Sequence, residues 1–206
     1  MRKVRFMNQI SVYTGPMFSG KTNALLSAYE RATIARKKVL AFKPQLDNRF
    51  GENVIKSRRF GEIEAINITS LKELKKYDAD VYIIDEFQFL EGDVSVIQEL
   101  ADKKGKIFHI NGLDMTAERK PFGHMPELLA IADHIEKFVA ICQDCAEENA
   151  IYSYFLGKKD TEILIGNHEY VPLCRKCMQK RLRQDAIHEK IFKDSNLYFT
   201  QLAINC

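Results

Sequence analysis

Two spaced glycines followed by a lysine and a hydroxyl residue can hold a nucleotide's phosphates. The chain reads Thr14-Gly15-Pro16-Met17-Phe18-Ser19-Gly20-Lys21-Thr22 near its N-terminus, with the spacing G-x-x-x-x-G-K-T. Backbone N–H groups between Gly15 and Lys21 would wrap phosphate oxygens, and the positive end of a following helix would face their charge. Lys21 would reach the β- and γ-phosphates, and the Thr22 hydroxyl would ligate Mg²⁺. An acid at the end of a neighbouring strand completes such a site. VYIIDEFQF supplies Asp85 there, to hold Mg²⁺ directly or through water. Glu86 follows at once, as a base or as a solvated loop acid.

A second constellation lies further on. Cys142-x-x-Cys145 and Cys174-x-x-Cys177 are separated by 28 residues, and Cys206 ends the sequence. Four thiolates from two knuckles suit a closed tetrahedral Zn²⁺ site, which leaves no position for catalysis and is therefore structural. The long linker must project as a loop. The five histidines show no ligand spacing; His168 lies in that loop and stays open as an exception.

These residues need a scaffold. QISVYT (9–14) reads as a strand entering the loop, and 21–37 as a helix with Ala24, Leu25, Ala28, Ala32 and Ala35 at helical spacing. Further strands are expected at 37–44, 64–68, 81–85, 106–112 and 137–141, and helices at 70–76, 93–105 and 127–133. Alternation of strands and helices argues an α/β fold with a mostly parallel sheet. After 141 the texture changes to short β-prone pieces between the cysteine pairs, then a charged helical stretch from about 175. The expected division is a phosphate-binding core over 1–141, a zinc-binding β-rich module over 142–180, and a helical extension and tail over 181–206.

With 206 residues the chain can bury a substantial core. A net charge of +3 is too mild to argue for nucleic acid by itself. No run approaches the ~20 apolar residues of a membrane span, and MRKVRFMNQI lacks the long apolar stretch of a signal peptide. Cytoplasm is the default location, and no membrane or nucleic-acid partner is expected.

Five separated segments resemble the thymidine kinase family of vertebrate cytosol, many bacteria and large DNA viruses. They are GPMFSGKT (15–22), Lys43-Pro-x-x-Asp47-x-Arg49, Asp85-Glu86-Phe87-Gln88-Phe89, LDMTAERKPFG (113–123), and the cysteine pairs flanking YSYFLG and IGNHEY. The resemblance implies a RecA-like P-loop core with a zinc-bound lasso. It implies ATP-dependent phosphorylation of a deoxyribonucleoside 5′-hydroxyl, with Mg²⁺, thymidine as acceptor and Glu86 as base. Asp47, Arg49 and Gln88 would join the phosphate group; a surface ion pair is the alternative for Arg49. Met17, Phe89, Leu113, Phe122, Ser153 and Tyr170 would line the nucleoside pocket, although Phe89 and Phe122 could equally be core packing. It also implies a homotetramer inhibited by thymidine triphosphate. Four positions depart from the family pattern: Ala117 replaces an aromatic, Ser57-Arg58 a Ser-His pair, and Tyr154-Phe155 a partly basic pair. These changes leave open a modified pyrimidine or a second deoxynucleoside. A zinc-containing ATPase acting on nucleic acid, through the basic stretch 175–183, is the alternative of another class.

Overall fold

A computed structural model describes residues 9–47, 51–57, 61–157 and 169–188. Arg49, Arg58, His168, Cys206 and the expected TEILI strand lie outside the described residues. A six-stranded sheet organises the core. Its strands are β1 (Ile10–Thr14), β2 (Val39–Pro44), β5 (Ile66–Ile68), β6 (Val81–Ile84), β7 (Ile107–Gly112) and β8 (His134–Lys137). All pairs are parallel, in the order β5-β2-β6-β7-β1-β8. Thus β7 stands between the strand that enters the glycine-rich loop and the strand that ends in Asp85.

Strand periodicity divides the apolar side chains between two faces. Val12, Phe42, Ile84, Phe108 and Ile110 pack on one, against α2 (Ser95–Lys104), α3 (Met125–Ile131) and a 3₁₀ turn at Leu71–Lys76. Tyr13, Ala41 and Ile83 pack on the other, against Leu25 and Leu26 of α1 (Lys21–Ile34). Ile55 and Ile63, from the β3–β4 hairpin (Val54–Ser57, Gly61–Glu64), complete that layer. A strand buried on both faces must be apolar throughout, which is why VYII carries no alternation.

Punctuation follows local chemistry. Ser70 and Glu73 form a capping box, worth ~1 kcal/mol, before the 71–76 turn. The Asp93 side chain accepts the Ser95 N–H at 2.8 Å, and Gly105 closes α2 in the left-handed region. One expected strand divides: the sheet's edge strand is His134–Lys137, while Ala140–Ile141 pairs antiparallel with β10 (Asn149–Ala150). HIEK escapes an apolar-run criterion because all four of its residues are exposed at the edge.

One half-buried histidine sits in this core. The His109 ring stacks on Tyr13, with Nδ1 3.1 Å from the phenol oxygen. Burial, then the nearby charges of Arg31 and His134, pulls its pKa down to about 4. The folded state thus binds this proton less readily than the unfolded chain, whose imidazole titrates near ~6.5. Stability is fully present above that value and declines as pH falls from ~6.5 towards 4. Urea midpoints should fall over this window in wild type and fall less in His109→Gln; parallel curves would contradict it.

The second core belongs to the cysteine module. β9 (Ala140–Ile141), β10, β11 (Tyr152–Phe155) and β12 (Tyr170–Leu173) surround Cys142, Ala150, Leu173, Cys174 and Met178. Residues 175–188 form a helix, α4. Arg181 makes a two-point ion pair with Asp144, and Tyr154 on β11 donates to Asp185, binding α4 to the Cys142–Cys145 knuckle and to β11. Burial and that carboxylate raise the Tyr154 pKa to about 12.

Candidate active site

The glycine-rich loop is built by steric necessity. Gly15 has φ +129°, and a Cβ there would lie 2.2 Å from the Phe138 carbonyl oxygen. Only glycine lets the loop pass beneath the chain that leaves β8. Gly20 then caps α1 in the left-handed region. Within the loop, Lys21 Nζ and Ser19 Oγ both donate to the Pro16 carbonyl, at 2.6 and 2.8 Å. The lysine ammonium therefore lies inside the curve of the loop, where a phosphate group would meet it.

Residues 17–22 form one wall of a cleft of about 910 Å³, counting its open mouth. Asn23, Lys56, Ser57, Glu86, Asn111 and Leu113 form the rest. Asp85 is buried just past the end of β6, its Oδ1 accepting the Glu86 N–H at 3.1 Å. Glu86 has φ +50°, uncommon for a residue with a side chain. Its carboxylate accepts a 2.6 Å hydrogen bond from Gln88 Nε2, while Gln88 Oε1 accepts the Leu113 N–H. Gln88 is thus 4% exposed behind Glu86 and outside the cleft's wall, where it orients a carboxylate. Gly123 seals this arrangement, since a Cβ there would strike the Gln88 carbonyl oxygen at 2.3 Å.

Asp47 is also buried, in the turn after β2, and does not line the cleft. Lys43, of the same segment, is 1% exposed. Its ammonium donates to the Gly51 and Val54 carbonyls, anchoring the β3–β4 hairpin. Lys56, Ser57, Asn23 and Asn111 were not expected at the cleft. Asn111 carries the one legible signal, an amide at the C-terminal end of a strand that leads into the site.

A second cavity, about 700 Å³ with its mouth, adjoins the first and shares Met17 and Leu113 with it. Met17, Phe89, Leu113, Phe122, Ser153 and Tyr170 all line it, joined by Met115, Thr116, Ala117, Glu118 and Phe155. Phe89 and Phe122 meet edge to face at 5.3 Å, and Phe155 and Tyr170 pack at 5.1 Å. A planar ring could lie between these aromatic pairs. Burial, then Glu118 and Glu169, raises the Tyr170 pKa and keeps its phenol a neutral donor. Ser153 Oγ accepts the Met17 N–H at 2.9 Å, so the cysteine module is fastened directly to the glycine-rich loop. A hydroxyl that accepts there can still donate into the cavity.

Cys142, Cys145, Cys174 and Cys177 bring their sulfurs within 4.8 Å of one another. Four soft donors at that spacing could hold a tetrahedral metal ion with no open position.

The family whose sequence model is described as Thymidine kinase matches residues 8–178 of this chain. The chain belongs to the thymidine kinase family. Membership extends across most of the sequence. The chain is 39% identical over 177 residues to a thymidine kinase of Pseudothermotoga lettingae, covering 84% of this chain and 95% of that protein. It is 38% identical over 189 residues to one from Bacteroides fragilis, covering 90% and 94%. It is 42% identical over 175 residues to one from Porphyromonas gingivalis, covering 83% and 85%. The family match includes the loop, the Asp85-Glu86 strand end, the 113–123 segment and all four clustered cysteines.

Proposed function

We propose that this chain transfers the γ-phosphoryl group of ATP to the 5′-hydroxyl of thymidine, giving the monophosphate in nucleotide salvage. The observation that carries the reading is the adjacency of the two cavities, with the glycine-rich loop and Glu86 in one and paired aromatics in the other. In-line transfer requires that adjacency, because the acceptor oxygen must approach the γ-phosphorus within ~3–3.5 Å, opposite the leaving oxygen.

In this reading Met17 to Thr22 cradle the phosphates, and Lys21 offsets their charge. Thr22 and Asp85 would hold Mg²⁺, which supplies charge neutralisation at the phosphates when bound. Glu86, oriented by Gln88, accepts the hydroxyl proton. Asp47 and Arg49 join the phosphate group by family membership. The four cysteines hold Zn²⁺, which fixes the two arms carrying Ser153, Phe155 and Tyr170. Residues 1–141 then bind ATP, 142–180 cover the nucleoside, and 181–206 extend the module. Thiolates on zinc suit the reducing cytoplasm. A homotetramer inhibited by thymidine triphosphate belongs to the same reading, by membership in the family.

Transfer of labelled γ-phosphate across a nucleoside panel tests it. Thymidine should be the preferred acceptor. DNA-stimulated ATP hydrolysis without a nucleoside product would favour an ATPase acting on nucleic acid instead.

Ala117 gives a sharper expectation. It lines the aromatic cavity where an aromatic residue is usual in the family. Ala117→Phe should raise the kcat/KM ratio of thymidine over other pyrimidine nucleosides by ~10-fold, the range of a filled apolar pocket. An unchanged ratio would remove Ala117 from base selection.

A further inference from the structure

Asn111 lies on β7, the strand between the loop and the acid. It opposes Tyr13 of β1 in register, one residue beyond the Ile84–Ile110 pair with β6. Its side chain is 1% exposed, yet it borders the phosphate cleft beside Lys21, Thr22 and Glu86. Oδ1 accepts the Glu86 N–H at 3.1 Å. That contact fixes the amide's orientation, because an N–H requires an acceptor. Nδ2 is buried with no hydrogen-bond partner among the described residues.

Each half of the amide has a consequence. Glu86 sits in a left-handed conformation that a residue with a side chain adopts reluctantly. The N–H that it exposes there is held by Asn111 and by its neighbour Asp85. Asn111 therefore helps to set where the Glu86 side chain emerges. The unpaired donor is costly inside a protein unless something supplies an oxygen. The oxygen-rich ligand of this cleft is a phosphate chain. An apolar residue of similar size would fill the same space without that cost, so packing alone does not account for the amide.

We infer that Asn111 is a positioning residue for Glu86, and that its spare N–H donates to an oxygen of the nucleotide bound in the cleft. This rests on the phosphoryl-transfer reading for the role of Glu86. The nucleotide contact stands apart from the identity of the acceptor.

The test uses full-length, zinc-loaded protein and three variants, Asn111→Leu, Glu86→Gln and their combination. Asn111→Leu should lower kcat 10–100-fold with the thymidine KM within about twofold, and weaken MgATP binding 3–10-fold. In the Glu86→Gln background the same change should cost less than threefold in kcat, because the group being positioned is already gone. Full additivity, or wild-type kcat in Asn111→Leu, would overturn the positioning role. Unchanged MgATP affinity would overturn the donor role.

Should Asn111→Leu fail to fold, Asn111→Asp keeps the acceptor and replaces the donor with an anionic oxygen. It should bind MgATP at least tenfold more weakly, and undiminished binding would overturn the contact. If wild type phosphorylates no nucleoside, the functional reading fails while MgATP titration still decides the contact.

Discussion

Glu86→Gln is expected to lower kcat by ~10²–10⁴-fold, the range of a positioned general base, while leaving MgATP affinity within about twofold of wild type. At 1.36 kcal/mol per decade this is roughly 3–5 kcal/mol of barrier. The substitution isolates the chemistry because little else changes. Glutamine fills the same volume, and its side-chain oxygen can still accept from Gln88 Nε2, now 2.6 Å from Glu86 Oε2. What disappears is the negative charge and the capacity to take a proton. Steady-state kinetics with thymidine, beside calorimetric MgATP titration, separates the two terms. Turnover at wild-type level would leave Glu86 as a structural acid.

Loss of zinc should act on the other substrate. The cavity's far wall comes from β11 and β12, whose ends are tied together through the cysteine cluster. A structural zinc site contributes ~10–16 kcal/mol of apparent binding energy. The module's apolar core is small, and several kcal/mol of lost metal binding exceeds what it can replace. Cys174→Ser, or exhaustive chelation, should therefore cut thymidine kcat/KM by ~10²-fold or more. MgADP binding and the far-ultraviolet dichroism of the core should persist. Metal content by mass spectrometry should track activity at one zinc per chain. Full activity in metal-free protein would remove zinc from the account.

Part of this architecture was legible because the relevant signals are local. A phosphate loop declares itself by glycine spacing, since Gly15 and Gly20 occupy backbone that other residues resist. A buried parallel strand declares itself by an unbroken apolar run, as in VYII before Asp85. The pocket-lining residues came from family resemblance, because nothing local in Phe89 or Phe122 distinguishes a cavity wall from a core. What stayed hidden depends on contacts across the sheet. Gln88 reads as one more polar residue near a phosphate loop, yet its distance from the cleft follows from the 87–89 turn folding under Glu86. Lys56 and Ser57 reach the cleft only because the β3–β4 hairpin packs on α1. The edge strand His134–Lys137 was missed because an edge with exposed side chains carries no hydrophobic period.

Among the described residues, one link between the two halves of the site is a hydrogen bond that no motif encodes, Met17 N–H to Ser153 Oγ. It joins the loop that would hold ATP to the module that would hold the nucleoside, across 136 positions of sequence.

The most direct measurement is product identity under single-substrate stoichiometry. Zinc-loaded protein, MgATP and thymidine are incubated, and ADP, phosphate and nucleotide products are quantified by chromatography and phosphorus NMR. The account predicts one ADP and one thymidine 5′-monophosphate per turnover, with negligible free phosphate. Free phosphate without a nucleotide product, or phosphate placed on the 3′-hydroxyl, would contradict it.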